Sequence, residues 1–281
     1  MFEHKDEFCI SRMAKVLEAS ESGYYKWLAR ATAPPSPKEQ ADIELAEQIT
    51  VIFRKSRGSY GARKITAVLN AGRPASVNHK RVERLMREYG LFSRTCKRYR
   101  CTTDSEHNEL IADNLLDRDF TADAPNQKMV SDTTVVATKE GDLYAAGILD
   151  LYGRIPVGFS MSRHNDTALV MAAFNDMICR GLGAPGCILH SDRGSTYCSK
   201  SYRKLLSRYD FLSSMSGKGD CWDNAPMESF WGKMKSEWLK PRYETIAEAK
   251  KDIYEYVWHF YPRERPHATN GYLTPAVYGN R

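Results

Sequence analysis

The sequence predicts an α/β layer domain in its second half, led by an all-α region in its first. Up to about residue 103 the apolar positions recur only at helical spacing. From Gln127 three β-rich stretches follow one another closely, and helices and strands then alternate. Charge divides the chain in the same way. Residues 51–103 carry 14 Lys and Arg against 2 Asp and Glu, whereas the other residues hold 27 against 33. A segment that basic beside an acidic remainder fits a phosphate-binding surface better than a merely solvated face.

Residues 8–30 read as two short helices, CISRMAKVLEA and SGYYKWLAR, with a turn near Ser20. The proline-rich ATAPPSP (31–37) follows as a linker, which separates an N-terminal helical segment, 1–30, from a basic domain, 38–103. That domain opens with a helix from about Lys38 to Arg54, with Ile43, Ala46, Ile49 and Phe53 on one face. Two more helices flank a turn from Ala71 to Ala75. Ile65, Val68 and Leu69 form the apolar stripe of the first, and Val82, Leu85 and Met86 that of the second, with Asn78 as N-cap. Helix, short turn and a second helix that starts basic is a helix-turn-helix pattern. His79, Lys80, Arg81 and Arg84 would then face DNA, with Lys97, Arg98 and Arg100 on phosphates just beyond. A plain three-helix bundle with solvated arginines would show the same periodicity.

Residues 104–125 read as an acidic connector with a short helix over ELIADNLLDRDF. The second domain, 126–281, begins with KMVSDTTVVAT, DLYAAGILDLYG and RIPVGFSMS, three strands separated by KEG and YG turns. A helix from about Asp166 to Arg180, the buried strand CILHS, a helix from Ser199 to Tyr209 and the strand FLSSM come next. Long helices from Asp223 to Leu239 and from about Thr245 to Tyr261 close the domain. A three-strand meander followed by alternating helices and strands is an α/β layer fold of the ribonuclease H type.

At 281 residues and 42% apolar content the chain can bury a sizeable core. No apolar run reaches the roughly 18–20 residues that span a bilayer, and MFEHKDEFCI is no signal peptide. The seven cysteines include no C-x-x-C pair, so reduced thiols in a cytosolic protein are the simplest reading; Cys96 and Cys101 with His107 lack the spacing and the fourth ligand of a zinc site.

Three acids stand out: Asp132 in KMVSDTTVV, Asp192 in CILHSDRGS and Glu228 in DNAPMESFW. Asp132 falls within the first strand, Asp192 just past the end of a neighbouring one, and Glu228 early in a helix. Carboxylates gathered from separate elements repel unless a cation sits between them. Two Mg²⁺ ions about 3.5–4 Å apart, as used for phosphoryl transfer on nucleic acids, would supply that charge. On the Glu228 helix, Met227, Phe230, Trp231, Met234 and Trp238 form the buried stripe, Gly232 leaves room for substrate, and Lys235 lies two turns on, suited to a DNA phosphate. Asp150, Asp220 and Asp223 compete for the metal role, but each has a local structural use: a turn, a loop and a helix start, respectively.

The chain resembles the catalytic protein of insertion-sequence transposases of the IS-three family, in the retroviral integrase superfamily. The resemblance lies in SDTT, the spaced residues Gly141, Tyr144, Asp150 and Arg154, HSDRGSTYCS, and SMSGKGDCWDNAPMESFWGKMKSEWL, and more loosely in YPRERPH…LTP. Upstream, SYGARKI, NHKRVERLMREYGL and SRMAKVLEASESGYYKW resemble its helix-turn-helix and N-terminal segments, so nearly the whole chain is covered. Met129, Val135 and Pro262 depart from the residues usual there, at packing positions. The resemblance implies a ribonuclease H-like integrase core in which Asp132, Asp192 and Glu228 are a DDE triad holding two Mg²⁺ or Mn²⁺ ions, with Lys235 on DNA. It implies cleavage at terminal inverted repeats and strand transfer to target DNA by a homo-oligomer on paired ends, in a bacterial cytoplasm at the nucleoid. It also implies partnership with an upstream DNA-binding protein of the same element. A decayed DNA-binding regulator and a nuclease without strand transfer are the rival expectations.

Overall fold

The computed structural model describes residues 1–94, 111–217 and 221–280, so Lys97, Arg98, Arg100 and Asp220 lie outside the described residues. Two compact units divide within the third helix, one spanning Met1–Gln48 and the other Ile49–Arg281.

In the first unit α1 (Ile10–Val16) and α2 (Glu21–Thr32) lead to the start of α3 (Pro37–Lys55). Ser20 caps α2 by accepting from the Gly23 N–H at 3.1 Å. A reciprocal capping box starts α3, in which Glu39 Oε2 accepts from Ser36 N at 2.8 Å and Ser36 Oγ accepts from Glu39 N at 3.3 Å.

The second unit opens with the end of α3, then α4 (Ala62–Asn70) and α5 (His79–Glu88). Asn70 closes the turn between them through two bonds to Val77, and Asn78 caps α5 by accepting from Lys80 N at 2.9 Å. Ile65 and Leu69 are buried, as are Val82, Leu85 and Met86. This is a helix-turn-helix-like pair.

The helix expected over ELIADNLLDRDF is not formed across residues 111–120. The Leu115 and Leu116 N–H groups instead donate to Ser214 Oγ, and Asp117 and Arg118 adopt positive φ. Both choices stop an i→i+4 ladder and drive Leu116 into the interior at 1% exposure.

The sheet holds β1 (Lys128–Thr138), β2 (Gly141–Asp150), β3 (Ile155–Ser162), β4 (Ile188–Ser191) and β5 (Leu212–Met215). Its order is β3-β2-β1-β4-β5, with β1, β2 and β3 antiparallel neighbours and β4 and β5 running parallel to β1. One face is covered by α6 (Thr167–Cys179), α7 (Ser195–Cys198) and α8 (Lys200–Arg208), which bury Phe174, Tyr197, Tyr202 and Leu206 against Met129, Ala146 and Ile148. Gly158 permits that approach, since a Cβ there would lie 2.4 Å from the Ala173 carbonyl oxygen.

The other face carries α9 (Ala225–Lys233) and α10 (Ile246–Glu255), with the short α11 (Pro275–Gly279) ending the chain's regular structure. Neither long helix is the uniform α-helix that its spacing predicts. A 3-10 turn, Cys221–Asn224, precedes α9, and a π-helical turn, Met234–Trp238, continues it. A π-helical segment, Tyr256–Glu264, likewise extends α10 past Pro262. Together these elements form a mixed five-stranded α/β fold of the ribonuclease H-like integrase class. Among the described residues no helix is long and apolar enough to cross a membrane.

Candidate active site

Strand register explains why Asp132 and Asp192 meet. β1 pairs in parallel with β4 at a constant offset, Lys128 with Ile188 and Val130 with His190. Continued two residues further, that offset brings Asp192 level with Asp132. Ser131 points to the α7 face, where its hydroxyl shares a 3.0 Å hydrogen bond with Tyr197 Oη. Alternation along the strand therefore turns Asp132 to the opposite face, that of α9.

The approach of α9 depends on Gly147, which pairs directly with Asp132 across β2. A Cβ at Gly147 would lie 2.9 Å from Trp231, so its absence lets the Trp231 ring settle on the sheet beside Asp132. Met227, Phe230, Trp231, Met234 and Trp238 are all buried, as their spacing predicts, while Glu228 is exposed on the flank of that stripe. Asn224 fixes the start of the helix by donating from Nδ2 to the Ser131 carbonyl at 3.0 Å, one residue before Asp132.

Asp192 is held by a turn. Its Oδ1 accepts from Gly194 N at 2.9 Å, and a Cβ at Gly194 would come within 3.0 Å of that oxygen. Behind it lies fully buried His190, bonded through Nδ1 to Ser214 Oγ at 2.9 Å and through Nε2 to Ser216 Oγ at 3.1 Å. Ser214 Oγ already accepts two backbone N–H groups, so its own proton goes to Nδ1. That leaves the ring proton on Nε2, which donates to Ser216, whose hydroxyl donates on to the Ser191 carbonyl. Burial pushes the His190 pKa down to about 4, consistent with a neutral ring held in one tautomer.

Burial, together with the charges of Asp192 and Glu228, raises the Asp132 carboxyl well above the usual carboxylate range; the Thr133 N–H and Lys235 only partly offset this. Burial alone raises Glu228. Lys235 sits in the π-helical turn, so simple α-helical spacing does not describe its direction, yet its charge reaches Asp132. Among the described residues no three His, Cys, Asp or Glu side chains are drawn tightly enough to hold a metal ion as they stand. Two aspartates and a glutamate offer hard oxygen donors, and the most buried of them cannot carry its charge easily, which is the chemistry that suits a Mg²⁺-type cation.

The competing acids have structural partners. Asp150 is buried and accepts from Asn126 N and Tyr152 N, closing the turn after β2. Asp223 does not cap α9, because Asn224 occupies the cap position. Instead Asp223 accepts from Gly217 N, Arg118 Nε and Asn114 Nδ2, tying residues 114–118 to the end of β5; burial raises its carboxyl, but these donors hold it below the usual range.

Of the basic residues expected to face DNA, His79 and Lys80 are exposed at the start of α5, and Arg81 is half-buried. Arg84 is exposed but paired with Glu88 one turn on, at 2.8 Å. Sequence reasoning passed over His190 and Asn224. The one signal for His190 was a lone polar side chain inside the otherwise buried CILHS.

Integrase core domain profiles match residues 122–221 and 210–275, and an HTH-like domain profile matches residues 39–99. The chain is 41% identical over 268 residues to the insertion element IS600 uncharacterized 31 kDa protein of Shigella sonnei, covering 95% of this chain and 97% of that protein. It is 34% identical over 280 residues to the transposase InsF for insertion sequence IS3A of Escherichia coli (strain K12), covering 99% and 96%. The HTLV-2 integrase catalytic core domain in complex with magnesium resembles it at a TM-score of 0.43 and 14% identity, covering 57% of this chain and 99% of that one.

Proposed function

Because the chain belongs to the IS3 family of insertion-sequence transposases, with an integrase core domain, we propose that Asp132, Asp192 and Glu228 are its catalytic carboxylates for DNA cleavage and strand transfer. The observation that carries this reading is geometric: the β1–β4 register brings Asp192 level with Asp132, and the helix packed over β1 carries Glu228 on its exposed flank.

Each residue has a distinct task. Asp132, on the central strand, gives the site a fixed oxygen donor. Asp192 presents its second oxygen past the Gly194 turn, and Glu228 approaches from the exposed side, where substrate enters. These three would hold two Mg²⁺ or Mn²⁺ ions. Such ions, when bound, lower the pKa of an attacking oxygen and relieve charge on the leaving one. Lys235 holds a substrate phosphate as a point charge near the carboxylates. His190 and Asn224 act through the others, the first by fixing the strand end before Asp192 and the second by fixing the helix start before Glu228. No serine or tyrosine nucleophile is needed, since water serves for cleavage and the freed 3′-hydroxyl for joining. DNA carrying the terminal inverted repeats is recognised through α4 and α5.

Cleavage and joining of end-containing DNA with Mg²⁺ tests the assignment. Asp132→Asn, Asp192→Asn and Glu228→Gln are each expected to reduce both reactions by on the order of 10³-fold while end binding persists. Wild-type activity in any one of them overturns the triad. End binding by the unmodified protein without Mg²⁺-dependent cleavage would favour a DNA-binding regulator, and cleavage without joined products a simple nuclease.

A further inference from the structure

The segment leaving Asp192 is basic without interruption. Residues 193–209 contain Arg193, Lys200, Arg203, Lys204 and Arg208 and no acidic residue, whereas the rest of 126–281 holds 15 Lys and Arg against 17 Asp and Glu. The structure sorts these five cations. Arg193 Nε donates to the Ser216 carbonyl and Arg203 Nε to the Cys198 carbonyl, so both are tied to backbone. Lys200, Lys204 and Arg208 are exposed at successive four-residue steps, on the side of α8 away from buried Tyr202 and Leu206. Among the described residues none of the three pairs with a carboxylate.

The character of this face narrows the partner. Its exposed positions are Lys200, Ser201, Lys204, Ser207 and Arg208, every one charged or hydroxylic. A protein partner would need an apolar centre to bury, and this stripe has none. A rise of about 1.5 Å per residue spreads its three charges over roughly 12 Å of helix. That is a surface for a polyanion backbone.

Position narrows it further. α8 belongs to the α6–α7–α8 layer and is reached from Asp192 through α7 alone. The chain leading into α4 attaches across the sheet, where Arg57 pairs with Asp252 at 3.2 Å and Lys64 with Glu237 at 2.9 Å. α4 and the chain before it are thus tied to the α9–α10 layer, on the other side of the sheet from α8. We infer that the Lys200–Lys204–Arg208 stripe binds the backbone of the second duplex, the target DNA that receives the freed end. The choice of target over end DNA rests on the strand-transfer reading above.

The test reads binding rather than chemistry. Full-length Glu228→Gln protein assembled on terminal-repeat duplex is offered a linear duplex lacking the repeat. With Lys200→Gln/Lys204→Gln/Arg208→Gln added, capture of that duplex is expected to fall at least about tenfold, and the slope of log affinity against log salt to shrink by about 2–3. Affinity for the terminal-repeat duplex stays as it was. Lys250→Gln/Lys251→Gln, which neutralises two exposed lysines of α10, is the control and leaves capture unchanged. Unaltered target capture and slope in the triple variant overturn the inference, as does a loss confined to terminal-repeat binding. All three substituted positions are exposed, and an unchanged Tm checks that the variant is folded. Failure here leaves the carboxylate assignment standing, and failure of that assignment in the cleavage assay leaves this binding result standing.

Discussion

A carboxylate taken out of water is costly unless donors or cations replace its hydration. Asp132, 7% exposed, has the Thr133 N–H at 2.8 Å and the more distant Lys235, but faces two other acids. Asp132→Asn removes the charge and keeps the shape. The metal-free variant is therefore expected to melt higher than wild type, by about 2–4 °C for each kcal/mol regained at this chain size, while losing its chemistry. A lower Tm by calorimetry would show instead that the ionised group is held by favourable contacts. The acids themselves were legible in sequence because each sits among small and polar residues at an element edge. Their supports were not: a histidine in CILHS and an asparagine in DNAP acquire meaning only when strand order brings Ser214, Ser216 and Ser131 beside them.

At the scale of elements, the strand boundaries follow hydrophobic patterning closely, because alternation and turn residues are local signals. The π-helical turns do not, since i→i+5 bonding leaves no composition signature and depends on what the helix meets. In the turn after α9 it meets Arg265, which is 3% exposed and donates to Glu237 through Nε at 2.6 Å and Nη2 at 2.8 Å, with Lys64 on the same carboxylate. Burial raises Glu237, but these two cations more than offset it and hold it below the usual range. Glu237→Ala would strand a buried guanidinium. The expected loss is about 3–5 kcal/mol in denaturant unfolding, far above an exposed pair. A loss below about 1 kcal/mol would mean that water reaches Arg265 once the partner is gone. The missing 111–120 helix has the same kind of cause: its periodicity is present, but Ser214, roughly a hundred residues away, captures the amides.

For the whole molecule, fully buried His190 and half-buried His267 both lower stability on the acid side. Burial lowers both His190 and His267 to about 4, the second with help from Arg265, Arg154 and Lys64 against Glu237. The unfolded rings take protons near 6.5, so the folded state keeps its full advantage above that pH and loses it as pH falls toward 4. Each ring contributes on the order of 3 kcal/mol across that window. Urea midpoints measured from pH 7 to pH 4 are expected to drop steeply, and a flat profile would show that both rings take protons while folded.

The Lys64–Glu237–Arg265 trio also decides where this protein can be recombined. Its members come from α4, the helix that carries Glu228, and the chain beyond α10, yet they share one buried carboxylate. A graft that replaces α4 and α5 by those of a relative must carry position 64 together with 237 and 265, and position 57 together with 252. Exchange of α4 and α5 thus carries part of the α9–α10 layer with it.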